Sequence, residues 1–86
     1  MKLKQSGLHE PTSEERAHER MRIKNAFNKP DYERVLILRM DRITKAQKMY
    51  NFYLALENEN IHKLADIAYK RSRTLLKEES KYKHRS

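Results

Sequence analysis

The chain has 86 residues, no cysteine and a single glycine, and its 20 Lys and Arg exceed its 12 Asp and Glu to give a formal net charge of +8. This length allows one small domain, and the lack of cysteine excludes disulfide frameworks and thiolate metal sites. The excess of positive charge favours anionic partners, either nucleic acid or an acidic protein surface.

The sequence predicts no membrane-spanning helix, and its N-terminal residues do not have the pattern of a signal peptide. No run of about 18 apolar residues is present, and residues 1–13 lack an apolar core. We therefore expect an intracellular protein, cytoplasmic or associated with nucleic acid. Residues 1–11 carry the only glycine and one of the two prolines, which predicts a flexible N-terminal arm.

A first helix is predicted over residues 13–27. Thr12 followed three residues later by Glu15 is the pattern of a capping box, in which the two side chains bond each other's backbone N–H groups. Few apolar residues share one face of this helix, so we expect it to dock weakly. It should end before Pro30, because the residue before proline is pushed away from helical geometry.

A single long central helix is predicted over residues 31–57. Neither Gly nor Pro interrupts it after Pro30, and acidic residues near its start suit the positive end of a helix dipole. Its apolar residues recur at intervals of three, four or seven positions, as in an amphipathic helix: Leu36, Met40, Ile43, Tyr50 and Leu54.

A third helix is predicted over residues 60–79, after a turn at residues 58–60. An unbroken helix through these residues is the alternative. Residues 81–86 form a basic tail without periodicity. The predicted fold is therefore all-α: a single helical domain over residues 12–80, as a small helical hairpin or three-helix arrangement with a long central helix and flexible basic termini.

A basic stripe on the third helix is the strongest functional signal. Lys63, Lys70 and Lys77 are spaced by sevens and so share one helix face, with Arg73 and Lys81 beside them and Arg71 at the flank. A linear array of cations can neutralise phosphates and release their counterions. The leading prediction is a small non-enzymatic regulatory protein that binds nucleic acid through this stripe, helped by Arg16 and Arg20. Ordinary solvated charge is the alternative interpretation.

A second hypothesis is an adaptor or inhibitor that docks on an acidic, grooved surface of a larger protein. Met49, Phe52 and Tyr53 would form an adaptable aromatic and methionine patch for this contact, whereas plain core is the alternative role for these residues. A homodimer that buries the central helices is compatible with either function.

No catalytic, metal or cofactor site is predicted. The single glycine excludes a Gly-rich phosphate loop, and no nucleophile accompanies the four dispersed histidines. Two Glu-x-x-His pairs, Glu15 with His18 and Glu59 with His62, have the spacing found in di-iron bundles, but both fall at predicted helix starts and a fourth helix is missing. We therefore expect no enzyme activity and no small-molecule substrate.

Overall fold

The chain folds into four α-helices, and the predicted all-α class is confirmed. The computed structural model describes residues 8–85, with side chains through Lys81. The helices are α1 (Ser13–Phe27), α2 (Tyr32–Arg42), α3 (Ala46–Asn58) and α4 (His62–Arg85). Within this part of the chain there is no strand, and no helix is both long and apolar enough to cross a membrane.

Helix α1 spans the predicted range and begins with the predicted capping box. The Glu15 N–H donates to Thr12 Oγ1 at 3.2 Å, and the Thr12 N–H donates to Glu15 Oε1 at 2.9 Å. Only Ile23 and Ala26 of this helix are buried. Its stability therefore depends strongly on this cap, because a short helix with little tertiary packing is marginal in water.

The prediction of one long central helix is wrong, because residues 43–45 separate α2 from α3. The backbone of Ile43 is extended although neither proline nor glycine stands there. At about 100° per residue, a straight helix would point Leu36 and Met40 to the side opposite Phe52 and Leu56. All four side chains are buried in the same core, so the break reorients one apolar face relative to the other.

A side chain from α4 caps the first turn of α3. Lys45 stands at the N-cap of α3 and makes no capping bond through its side chain. Instead, the Ala46 N–H donates to Glu79 Oε2 at 2.8 Å. A carboxylate at this point satisfies a free backbone donor and interacts favourably with the helix dipole.

Glu79→Ala is expected to lower the free energy of unfolding by about 1–2 kcal/mol, because it removes both the cap and the charge at the dipole. Glu78→Ala is the matched control, since it removes the same charge from an exposed neighbouring position and should change stability by less than about 0.5 kcal/mol. Urea unfolding of both variants measures the difference. Equal losses in the two variants would show that the capping bond contributes nothing.

Helices α3 and α4 pack antiparallel, with Ala46 beside Glu79 at one end of the pair and Tyr53 beside Tyr69 nearer its middle. The turn between them is a true helix end and not a continuous helix. Asn60 has a φ of 64°, and the Ile61 N–H donates to Leu56 O at 2.9 Å. Asparagine tolerates this left-handed geometry better than most residues, which explains its place here.

Both predicted flexible termini need correction where the structure describes them. Leu8 is buried with Ala46 and Tyr50, and the backbone of His9 forms two hydrogen bonds to Gln47, so residues 8–11 are docked on α3. Residues 1–7 lie outside the described residues. At the other end, α4 continues through Arg85 into the segment predicted as a tail, and Ser86 lies outside the described residues.

Candidate nucleic-acid interface

The outward face of α4 carries a line of four exposed lysines: Lys63, Lys70, Lys77 and Lys81, here called the lysine line. The opposite face is buried against the rest of the protein through Leu64, Ala65, Ala68 and Ser72. At about 100° per residue, the four lysines fall within roughly 40° of one another around the helix. This placement agrees with the spacing argument, while binding itself stays a prediction.

One member of the lysine line is paired within its own helix. Lys70 Nζ lies 3.2 Å from Asp66 Oδ2, and both side chains are more than half exposed. An exposed pair one helical turn apart contributes only a few tenths of a kcal/mol and is weakened by salt. A phosphate can therefore displace Asp66 from Lys70 at little cost. The other three lysines make no salt bridge with a described residue.

Arg71 points away from the lysine line. Its Nη1 donates to Asp41 Oδ1 at 2.7 Å, which joins α4 to α2. This contact gives Arg71 a structural role between two helices. Its sequence position beside the basic stripe did not predict this partner, which comes from a helix 30 residues away.

Arg73 lies over the ring of Tyr69 at the edge of the lysine line. The guanidinium carbon is 5.9 Å from the ring centroid, and Nη1 donates to the Tyr69 hydroxyl at 3.3 Å. Tyr69 is 38% exposed, and the centroid of its ring is 5.2 Å from that of Tyr53. Burial raises the pKa of the Tyr53 hydroxyl above its ordinary value. The result is a supported, partly exposed aromatic and cationic surface.

The predicted docking patch of Met49, Phe52 and Tyr53 needs correction. Met49 and Phe52 are each 1% exposed in the core, and Tyr53 is partly buried against Tyr50 and Tyr69. Since α3 is covered by α1, α4 and residues 8–11, its aromatic side chains are needed for packing. Met49 and Phe52 therefore cannot contact a partner without unfolding, and Tyr53 alone does not form the predicted patch.

Arg16 and Arg20 do not join the lysine line. They line a cleft between α1 and α3, whereas the lysines lie on the side of α4 that faces away from α3. A phosphate backbone that followed the lysine line would therefore not contact Arg16 or Arg20. Their assignment to the nucleic-acid surface rested on charge alone.

A second concentration of positive charge surrounds Glu19 of α1. Burial raises the pKa of the Glu19 carboxyl, and attraction to Arg22 and Lys48 opposes this shift. These cations therefore face a carboxylate of the protein itself. They offer less unbalanced positive charge than the lysine line.

The two Glu-x-x-His pairs have structural partners. Glu15 belongs to the capping box of α1, His62 Nδ1 lies 3.2 Å from Glu57 Oε1, and Glu59 lies beside Arg20. Among the described side chains, no three His, Asp or Glu lie close enough to hold one metal ion. Glu15 has the capping role that its sequence position suggested, whereas Glu59 stands at the C-cap of α3 and not at the predicted helix start.

The fold and this surface define a small all-helical protein with a basic face. Comparisons with known protein families, curated proteins and solved structures give no match.

Proposed function

We propose that this protein binds nucleic acid through the lysine line of α4, with the Arg73–Tyr69 pair as a stacking surface at its edge, and that it acts as a non-enzymatic regulator. The observation that carries the proposal is the exposure of four lysines along one face of a helix whose other face is core. Helix α4 contains eight Lys and Arg against three Asp and Glu. Among the described side chains of α4, the exposed lysine line therefore presents positive charge to an external anion.

The length of the lysine line suits a phosphate backbone. Lys63 and Lys81 are 18 positions apart, which corresponds to about 27 Å along a helix. Duplex DNA carries one phosphate per about 3.4 Å of axis on each strand. The line is thus long enough to meet several phosphates in succession, and binding by such contacts is largely independent of sequence.

The Arg73–Tyr69 pair favours a single-stranded ligand. A base that is not stacked in a duplex can lie on an aromatic ring or on a guanidinium plane, and such stacking contributes about 1–3 kcal/mol per base. The Tyr69 ring packs against the ring of Tyr53, which supports it from α3. We therefore expect single-stranded RNA or DNA to bind through both phosphates and a base.

Titration of random duplex and single-stranded oligonucleotides across salt concentrations tests the proposal. With four or five phosphates neutralised, log affinity against log salt should fall with a slope of about −4 on duplex and about −3 on single strands. Tyr69→Leu should weaken single-stranded binding about tenfold and leave duplex binding nearly unchanged. Absence of binding at low salt, or an affinity that does not respond to salt, would contradict the proposal.

An acidic protein partner is the second candidate. Beside the lysine line, an open depression of about 340 Å³ has an apolar floor that includes Met40, Ile43 and Leu75, with Lys70 and Arg71 at its rim. This surface takes the place of the buried aromatic patch as a docking site for an acidic segment. A partner captured from extract after nuclease treatment, and lost in Lys70→Glu, would favour this function, because the exposed Lys70 lies at the rim and does not join two helices. Homodimerisation stays a prediction that sedimentation tests.

A further inference from the structure

The cleft that contains Arg16 and Arg20 is separate from the lysine line and has the features of a small ligand site. It has a volume of about 430 Å³ and lies between α1, α3 and the segment that precedes α1. Pro11, Ala17, Leu54 and Ala55 contribute apolar surface to its walls. Ligand pockets in proteins commonly have volumes of about 300–1,000 Å³, so this cleft suits a compact molecule.

A chain of hydrogen bonds fixes the orientation of the Asn51 amide in this cleft. The His9 N–H donates to Gln47 Oε1 at 3.0 Å, and Gln47 Nε2 donates to His9 O at 2.7 Å. The backbone of His9 therefore determines which end of the Gln47 amide is nitrogen. Gln47 Nε2 also donates to a side-chain atom of Asn51 at 2.9 Å, and that atom must be the acceptor Oδ1.

The remaining polar atom of Asn51 is a donor without a partner. Asn51 is only 7% exposed, lines the cleft, and makes no hydrogen bond through Nδ2 to any described residue. The fully buried side-chain atoms without a partner do not include Asn51 Nδ2, so this donor is accessible from the cleft. A ligand acceptor in the cleft could therefore reach a donor that no described residue uses, held by a side chain that is otherwise buried.

The charges at the cleft also favour an acceptor. Arg16 and Arg20 lie one helical turn apart on α1, so both guanidinium groups belong to the same side of the cleft. Arg16 Nη2 is 3.0 Å from Glu10 Oε1, and Arg20 Nε is 3.9 Å from Glu59 Oε2. Each guanidinium has five N–H donors, and these contacts leave most of them unused by carboxylates.

We infer that this cleft binds a small organic carboxylate. The carboxylate would accept hydrogen bonds from the guanidinium groups of Arg16 and Arg20 and from Asn51 Nδ2, while a compact aryl or acyl body contacts the apolar walls. A planar carboxylate matches the fork of guanidinium donors. The inference does not depend on the proposed nucleic-acid function, because no residue of the lysine line takes part.

Titration of the ¹⁵N-labelled full chain with sodium benzoate and sodium hexanoate, followed by NMR, tests the inference. At least one carboxylate should shift the Asn51 side-chain NH₂ signals with a saturable dissociation constant in the millimolar range or below. Benzamide, which has the size of benzoate but no charge, should bind more weakly. Absence of a saturable shift with both carboxylates, or equal binding of benzoate and benzamide, overturns the inference.

Substitutions on the two sides of the molecule separate this site from the lysine line. Arg16→Gln and Arg20→Gln change exposed side chains and should each weaken carboxylate binding by about tenfold or more. Arg73→Gln, which makes the same change outside the cleft, should leave carboxylate binding intact. A loss of carboxylate binding in Arg73→Gln equal to that in Arg20→Gln would assign the effect to general positive charge and overturn the inference.

Discussion

Simultaneous substitution of Lys63, Lys70 and Lys77 by glutamate is expected to weaken nucleic-acid binding by at least about 500-fold near 0.1 M salt. The release of counterions from each neutralised phosphate contributes close to a factor of eight under these conditions, and three such contacts are lost. Repulsion between the new carboxylates and the phosphates adds to this loss. The slope of log affinity against log salt should change from about −4 to between about −1 and −2 on duplex DNA, because only one or two phosphate contacts remain.

The matched control changes the same amount of charge elsewhere. Lys24, Lys29 and Arg34 are exposed on other parts of the protein and make no salt bridge with a described residue. Their joint substitution by glutamate should weaken binding by less than about tenfold, because only long-range attraction is reduced. If the two triple variants lose affinity equally while their circular dichroism spectra stay helical, net charge and not the lysine line determines binding.

Phe52→Ala is expected to lower the free energy of unfolding by about 3–5 kcal/mol. Phe52 is the largest of the fully buried side chains, and its truncation removes apolar burial and leaves a cavity. Small domains are stable by only about 5–15 kcal/mol, so this single change removes much of the total. Thermal unfolding followed by circular dichroism should show a midpoint lowered by more than about 10 °C.

Leu38→Ala is the control for this effect. Leu38 is an apolar residue of α2 whose side chain is 52% exposed, so its truncation should change stability by about 0.5 kcal/mol or less. A Phe52→Ala protein as stable as Leu38→Ala would contradict the burial of Phe52. It would return this side chain to the surface, where the docking hypothesis had placed it.

Local sequence signals predicted the parts of the fold that depend on neighbouring residues. The capping box at Thr12 and Glu15 fixed the start of α1, because both partners lie within four residues of each other. The seven-residue spacing of lysines predicted that they share one face of α4, since helix geometry alone determines this. The turn at Asn60 was also predicted, because asparagine is favoured where the chain reverses.

The break between α2 and α3 shows where periodicity failed. Two apolar patterns overlap in residues 31–57: one runs through Leu36, Met40 and Tyr50, and the other through Phe52 and Leu56. The prediction of one continuous helix followed the first pattern alone. In that helix, the residues of the second pattern would lie on the side opposite the apolar face. The presence of Phe52 and Leu56 on that opposite side was the sequence signal for a break, because a straight helix would have left two large apolar side chains outside the core.

Tertiary contacts account for the other differences. The Glu79 cap on α3, the Arg71 contact with Asp41 and the cleft around Arg16 join residues from different helices. Charge and spacing along one helix carry no information about which neighbour a side chain meets. The lysine line was therefore open to prediction, whereas the separation of Arg16 and Arg20 from it was not.

The antiparallel pair of α3 and α4 is connected at both ends. At one end the chain turns through the left-handed residue Asn60, and at the other the Ala46 N–H donates a hydrogen bond to Glu79. A residue inserted into either helix would rotate the following part of that helix by about 100°, so either the turn at Asn60 or the hydrogen bond from Ala46 to Glu79 would be lost. The spacing of 33 positions between Ala46 and Glu79 should therefore resist insertion and deletion. Changes of length in the evolution of this chain are expected instead in the exposed connection at residues 28–31.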